Sequence, residues 1–286
     1  MPRLHLMEIH EQSWFPQSLR NFVTDTLQFT WNLADVYGPI VPRLRDALRR
    51  AGARRIIDLC SGGGGPWLRL HGSLVEHGSP PIKVCLTDKY PNAQAFDFAE
   101  SVSKHTIRFH PRPVDAMRVP RNLSGFRTLF TSFHHFGFRT AREILQDAVE
   151  KGEGIGIFEI SGRYFSAFLG VFLMGLAHFA FAPFVRPFHR SRLFWTYVIP
   201  VVPLVLVLDG ISSCMRTWSP VELRELIESC DENDYRWEIG KEKGALPGLR
   251  ITYLIGCPNH KKRRRTCPVR IACTEDPAGA AAAARA

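Results

Sequence analysis

The sequence lacks the marks of a disulfide-held or extracellular protein. Its seven cysteines are odd in number and widely separated over 286 residues, which excludes a disulfide framework, and none falls at zinc-ligand spacing, so no metal site is expected. The first 25 residues are polar and charged throughout, with no apolar core ahead of small residues. No secretory signal is therefore expected, and residence in the cytoplasm is the default. A glycine-rich run is present, but no Lys followed by Ser or Thr comes after it, which excludes a phosphate-binding loop of that type. Acidic residues are scarcer than basic ones, 27 against 37, for a formal net charge of +10. Residues 258–286 hold seven Lys or Arg against Glu275 and Asp276, which accounts for five of those ten charges. The remaining body is only mildly basic, so nucleic acid is not an expected partner.

With 45% hydrophobic residues, the chain can bury a substantial core. Residues 1–50 read as a helical cap: Leu19, Phe22, Val23, Leu27 and Trp31 recur at spacings of three and four, and a second helical segment follows Gly38 and Pro39. From residue 55 short apolar runs alternate with helical segments. Strands are expected at 55–60, 82–86, 106–110, 126–131 and 153–160, with helices at 66–76, 92–101 and 139–150. Such alternation predicts a mostly parallel sheet covered on both faces. A helix after Trp218 carries Ser219 as N-cap, Pro220 in its first turn and Glu222 three residues past the cap. Two closing segments, 235–239 and 249–256, read as an antiparallel pair. The sheet domain is thus expected to span 51–257, interrupted by an apolar helical insertion at 163–215 and followed by a disordered basic, alanine-rich tail at 258–286.

The strongest local signal is the turn after the first strand, where Asp58, Leu59, Cys60 and Ser61 lead into Gly62, Gly63, Gly64 and Gly65. In open α/β sheets a ligand sits beyond the carboxyl ends of the strands, and glycine lets the backbone bend tightly and approach it. Pro66 leaves fewer backbone donors for a pyrophosphate, so a phosphate-free ligand is easier to house. Asp88 ends the second strand, where an acidic side chain can take both hydroxyls of a ribose. Asp115 follows the third, at the edge where an adenine would lie, with Ala116 and Met117 as apolar neighbours.

These residues, together with Thr87-Asp88, Val114-Asp115-Ala116, the run Thr131-Ser132-Phe133-His134-His135 and the helix opening Ser219-Pro220-Val221-Glu222, resemble the class I S-adenosylmethionine-dependent methyltransferase family over roughly residues 54–256. The resemblance implies a seven-stranded sheet in the order 3-2-1-4-5-7-6 with the seventh strand antiparallel. It implies S-adenosylmethionine as cofactor and S-adenosylhomocysteine as product. By the same resemblance, cofactor binding falls to Asp58, Ser61, Gly62, Gly63, Gly64, Asp88, Lys89, Asp115, Ala116 and Ser132. His134 and His135 stand at the end of the fourth strand. Their type suits a general base, and His135 is the favoured one. Trp14, Tyr37, Phe133, Phe136 and Glu159 are the candidate acceptor-binding residues. The departures from the family pattern are the four consecutive glycines and the insertion.

Residues 164–184 are interrupted by little except His178, and a second apolar run spans 193–208, with Arg186, His189, Arg190 and Arg192 between them. Three accounts compete: a membrane span, a hairpin lying on a membrane surface with the basic tail beside it, and a lid that covers an apolar acceptor or forms a homodimer interface. All suggest a lipophilic partner. The leading expectation is methyl transfer to a small, hydrophobic acceptor, at oxygen ahead of nitrogen or carbon, in a protein that is cytoplasmic or peripheral at the inner face of a membrane. An RNA or protein methyltransferase and a non-catalytic scaffold on the same fold are the alternatives.

Overall fold

A computed structural model describes residues 2–74, 82–230 and 234–259. The basic run at 261–265 and the rest of the tail lie outside these residues. Two helices, α1 (Gln17–Leu33) and α2 (Val41–Ala51), precede the sheet. Strands β1 (Arg55–Asp58), β2 (Lys83–Leu86), β3 (Ile107–Phe109), β4 (Phe126–Phe130) and β5 (Ile155–Glu159) alternate with α3 (Trp67–Leu74), α4 (Ala93–Val102) and α5 (Phe138–Glu150). The insertion forms α6 (Phe165–Phe181), α7 (Arg190–Leu193) running into a wide turn Phe194–Val198, and α8 (Val201–Arg216). Helix α9 (Pro220–Glu228) and strands β6 (Tyr235–Lys243) and β7 (Arg250–Pro258) close the fold.

The seven strands lie in the order β3-β2-β1-β4-β5-β7-β6. The first five pair in parallel, and β7 runs antiparallel to both β5 and β6. Alternation along each strand explains why it has two apolar faces. Ile56, Val84, Leu86, Phe126, Phe130 and Phe158 point into one buried layer with α2, α3 and α4. Ile57, Cys85, Leu129, Ile155 and Ile157 point into the other with α5 and α9. The cap of α9 forms as the sequence predicts: Ser219 accepts from the Glu222 backbone, and the Glu222 side chain accepts from the Ser219 N–H. Strand β6 extends to Lys243, beyond the expected 239, because its last residues pair with the start of β7.

The insertion packs its apolar side chains against α1, and Tyr164 also donates to the Arg250 carbonyl of β7. Phe15, Leu19, Phe22 and Val23 pack against Val202, Val205 and Leu206 of α8. Arg192, fully buried, meets Asp25 of α1 at 2.5 Å, and Asp25 also accepts from Asn92 at the start of α4. Among the described residues no single helix is long and apolar enough to cross a membrane. Arg190–Val198 and Val201–Arg216 reach that length only together and are bent by 75° at their break. The 164–184 run holds the 17-residue helix α6.

Candidate active site

The turn after β1 is built by hydrogen bonds that converge on two acids. Asp58 Oδ1 accepts from Thr128 Oγ1 at 2.6 Å and Oδ2 accepts from Ser61 Oγ at 2.7 Å. Burial pushes its carboxyl up to about 7 against those bonds. The four glycines have separate reasons. Gly62, Gly64 and Gly65 sit at positive φ, whereas a Cβ on Gly63 would lie 2.6 Å from the Thr24 carbonyl oxygen of α1. The turn is thus pressed against the helical cap. Asp88, at the end of β2, holds it from the other side by accepting from the Gly62 N–H at 2.8 Å and from the Tyr90 N–H at 2.8 Å. Asp115 accepts from the Met117 N–H at 2.9 Å.

Two cavities open at the carboxyl ends of the strands. One, of about 280 Å³, is walled by Asp58, Ser61, Gly62, Gly63, Asp88, Lys89, Asp115, Ala116, Met117, Ser132 and Phe136, with Gln28 and Asn21 of α1 opposite. The other, of about 560 Å³, runs between α1, α6 and α8 and is mostly apolar, with Val23, Leu169, Leu173, Met174, Phe181 and Leu206 in its wall. His10, Leu27, Trp31, Thr131 and His135 line both. The two cavities therefore meet at the end of β4.

At that junction the turn Phe133–His135 is held by charge. Glu159, at the end of β5, accepts from the backbone N–H groups of Ser132, Phe133 and His134, and its Oε2 lies 2.7 Å from His134 Nδ1. Arg216 of α8 donates to the carbonyls of His134 and His135. From the N-terminal segment, Glu8 brings a fully buried carboxylate to within 3.4 Å of His134 Nε2 and 3.2 Å of His135 Nδ1. Glu11 approaches His135 Nδ1 at 2.6 Å and Arg216 Nη1 at 2.8 Å. Burial alone would depress His135, but the carboxylates of Glu8 and Glu11 override it and hold the imidazole at about 10. Burial would raise Glu11, but His135 and Arg216 hold it down at about 2.

The structure brings together most of the residues expected at the cofactor. Asp58, Ser61, Gly62, Gly63, Asp88, Lys89, Asp115, Ala116 and Ser132 share one cavity wall. Gly64 instead shapes the turn, donating its N–H to the Ser61 carbonyl. The expectation for the acceptor is corrected more heavily. Trp14 is 66% exposed and packs edge-on against Phe15, away from both cavities. Tyr37 is buried in the core between Trp31 and Phe130, with its hydroxyl on Thr131. Phe133 is buried under Trp218. Glu159 faces His134 and not a cavity, and Phe136 lies on the wall of the smaller cavity. Glu8, His134 and His135 also converge, although no cysteine falls at zinc-ligand spacing. Spacing hid this because Glu8 reaches the histidines only through the fold. The one local sign was the run Glu8-Ile9-His10-Glu11, three titratable groups within four residues.

No family model matches the chain, and no curated protein matches it. Solved structures with a related fold do exist. PigF with SAH has 15% identity and a TM-score of 0.48, covering 85% of this chain and 62% of that one. An O-methyltransferase family protein from Burkholderia thailandensis has 15% identity and a TM-score of 0.45, covering 79% and 57%. Human N-acetylserotonin methyltransferase in complex with SAM has 15% identity and a TM-score of 0.42, covering 82% and 56%. The chain thus spans less than two thirds of the length of each. The fold assignment itself rests on the observed strand order and the antiparallel β7.

Proposed function

We propose that the protein transfers a methyl group from S-adenosylmethionine to a small, largely apolar acceptor at an oxygen atom, releasing S-adenosylhomocysteine. The observation that carries this reading is the meeting of two unlike cavities at Thr131 and His135, one walled by the glycine turn and three acids, the other by apolar helices. The residues present fit the cofactor. Each oxygen of Asp88 and Oδ1 of Asp115 accept one backbone N–H, which leaves lone pairs for a ribose and an amino group. The missing Cβ at Gly63 lets α1 close over the turn. Asp88 would hold the ribose, Asp115 the adenine edge, and Gly62 with Ser132 the methionine part.

The bound cofactor supplies a methyl group already activated on a sulfonium. What remains for the chain is to align an acceptor and to exclude water. Helix α1 lines both cavities, and α6 and α8 wall the larger one. His135, held protonated between Glu8 and Glu11, presents a positive pole at neutral pH. It therefore orients and stabilises an acceptor oxygen that enters already ionised, its proton left to solvent, in place of removing a proton as a free base. The apolar wall favours a small lipophilic molecule over RNA. The outer face of the insertion supports delivery from a membrane surface: Phe165, Phe172, Leu176, Phe184 and Phe188 are exposed, with Arg186 and Arg190 exposed beside them.

Calorimetry tests the reading. S-adenosylmethionine and S-adenosylhomocysteine bind the purified chain, and Asp88→Ala abolishes that binding. Absence of binding, or equal preference for NAD, overturns the assignment.

A further inference from the structure

Three side chains from two distant parts of the chain bring metal-ligating atoms to one spot. Glu8 Oε2, His134 Nε2 and His135 Nδ1 are all buried, and their near neighbours are one another and Glu11, whose Oε1 lies 2.6 Å from His135 Nδ1. Glu8 and His134 are sealed from solvent, at 0% and 1% exposure. The opposite end of each is restrained. Glu8 Oε1 accepts from Ser213 Oγ at 3.1 Å, and His134 Nδ1 is 2.7 Å from Glu159 Oε2. Rotamer freedom is thereby removed from the two buried residues before any ligand arrives.

We propose that Glu8, His134 and His135 bind one first-row divalent cation of the zinc class at the junction of the two cavities. One ligand atom from each residue lies within 4.8 Å of the others. The closest approaches are 3.4 Å from His134 Nε2 to Glu8 Oε1 and 3.2 Å from His135 Nδ1 to Glu8 Oε2. A tetrahedron of nitrogen and oxygen atoms about 2.0–2.2 Å from a zinc ion has edges of about 3.3–3.6 Å. The His135 Nδ1 to Glu8 Oε2 distance is close to such an edge, and His134 Nε2 reaches the other carboxylate oxygen, Oε1. Two imidazoles with one carboxylate select zinc or its first-row neighbours over magnesium or calcium, which prefer all-oxygen shells. An imidazole ligates as the neutral ring, so ion binding releases the proton that His135 holds in the metal-free chain. Glu159 behind His134 is the outer carboxylate that orients a metal-bound histidine and raises its donor strength. Three protein ligands leave one position open, and His134, His135 and Glu8 all line the apolar cavity. An oxygen atom of a small molecule in that cavity is the fourth ligand, and the ion polarises it as a Lewis acid. The identity of that oxygen as the methyl acceptor rests on the proposed methyl transfer. Ion binding does not.

The test uses the full-length protein, stripped with a chelator and titrated with zinc, and with cobalt(II) for its visible spectrum. The expected result is one ion per chain, nitrogen-ligated by its cobalt absorption, and a raised melting temperature in the presence of zinc. Glu8→Gln keeps the size of the side chain and is expected to weaken zinc at least about 100-fold, whereas Glu159→Gln weakens it about 10–100-fold. His10→Gln, at the same junction but outside the triad, retains full binding. Melting curves without zinc show whether each variant folds, and His134→Gln serves if Glu8→Gln does not. A stripped wild-type protein that takes up no zinc overturns the proposal. So does zinc binding that Glu8→Gln and His134→Gln leave unchanged. Calorimetry with S-adenosylhomocysteine on the same samples separates the two readings. Zinc uptake without nucleoside binding leaves the metal site and removes the methyl transfer, and the reverse removes the site alone.

Discussion

The sheet and the insertion use similar apolar residues for opposite ends. In the strands, alternate side chains enter two buried layers, and the glycine turn, Asp88 and Asp115 are left at the edge. In the insertion only a minority of the apolar side chains are buried. Some wall the larger cavity, and others, such as Phe165, Phe172 and Val198, face outward. Apolar area in the sheet stabilises the fold, while apolar area in the insertion is available to a ligand or a surface. Hydrophobicity alone does not separate these roles. The layer packed behind each residue does.

The comparison breaks most sharply at the Asp25 and Arg192 pair, which ties the insertion to α1. Asp25→Ala leaves a buried guanidinium without its carboxylate and is expected to cost about 3–5 kcal/mol. Hydrogen exchange should show the loss concentrated in α6 to α8, with β1, β4 and β5 still protected. Uniform loss across the sheet would mean that the two regions fold as one unit. A smaller effect is expected from acid. His178 of α6 is buried, with Nε2 3.0 Å from Thr196 Oγ1, and burial with the nearby Arg192 lowers its pKa from 6.5 to about 4. The unfolded chain takes up this proton near pH 6.5 and the folded chain does not, so the stabilisation is complete above pH 6.5 and lost as pH falls toward 4. The loss is about 2–3 kcal/mol. Asp58, whose pKa is raised to about 7, acts with the opposite sign, so the measurement is urea denaturation of wild type against His178→Gln across this range, the difference between them shrinking with acid. The smallest effect on stability belongs to the outer face. Phe172→Ser with Leu176→Ser should change stability by less than about 0.5 kcal/mol while sharply reducing cosedimentation with anionic vesicles. Unchanged cosedimentation would remove the membrane role of that face.

Legibility followed the same division. Strands β1 to β5 were readable because each is a short apolar run ending in a turn or an acid, whereas their order came from the family resemblance. The capping box of α9 was readable because both halves lie within four residues. Asp58, Asp88 and Asp115 were readable from their places at strand ends. Tyr37 and Trp14 were misplaced because an aromatic residue beside a helix fits a pocket, a core or a surface equally well. Glu159 was placed at the right strand end, but only the turn of His134 toward it makes it a partner of the histidine and not of an acceptor.

The junction between the cavities was the least legible part. His134 and His135 were visible as candidates, but Glu8 and Arg216 become their neighbours through contacts between segments far apart in the chain. The carboxylates of Glu8 and Glu11 also raise His135, which a reading of the histidine pair alone does not foresee.

Local order and composition therefore determined the sheet, its glycine turn and its acidic strand ends, because hydrophobic period, φ requirements and capping act over a few residues. Tertiary structure alone decided that the N-terminal segment closes over the strands, that the insertion docks on α1, and that Glu8 meets two histidines. Those outcomes depend on burial and charge between remote segments, which no spacing along the chain records.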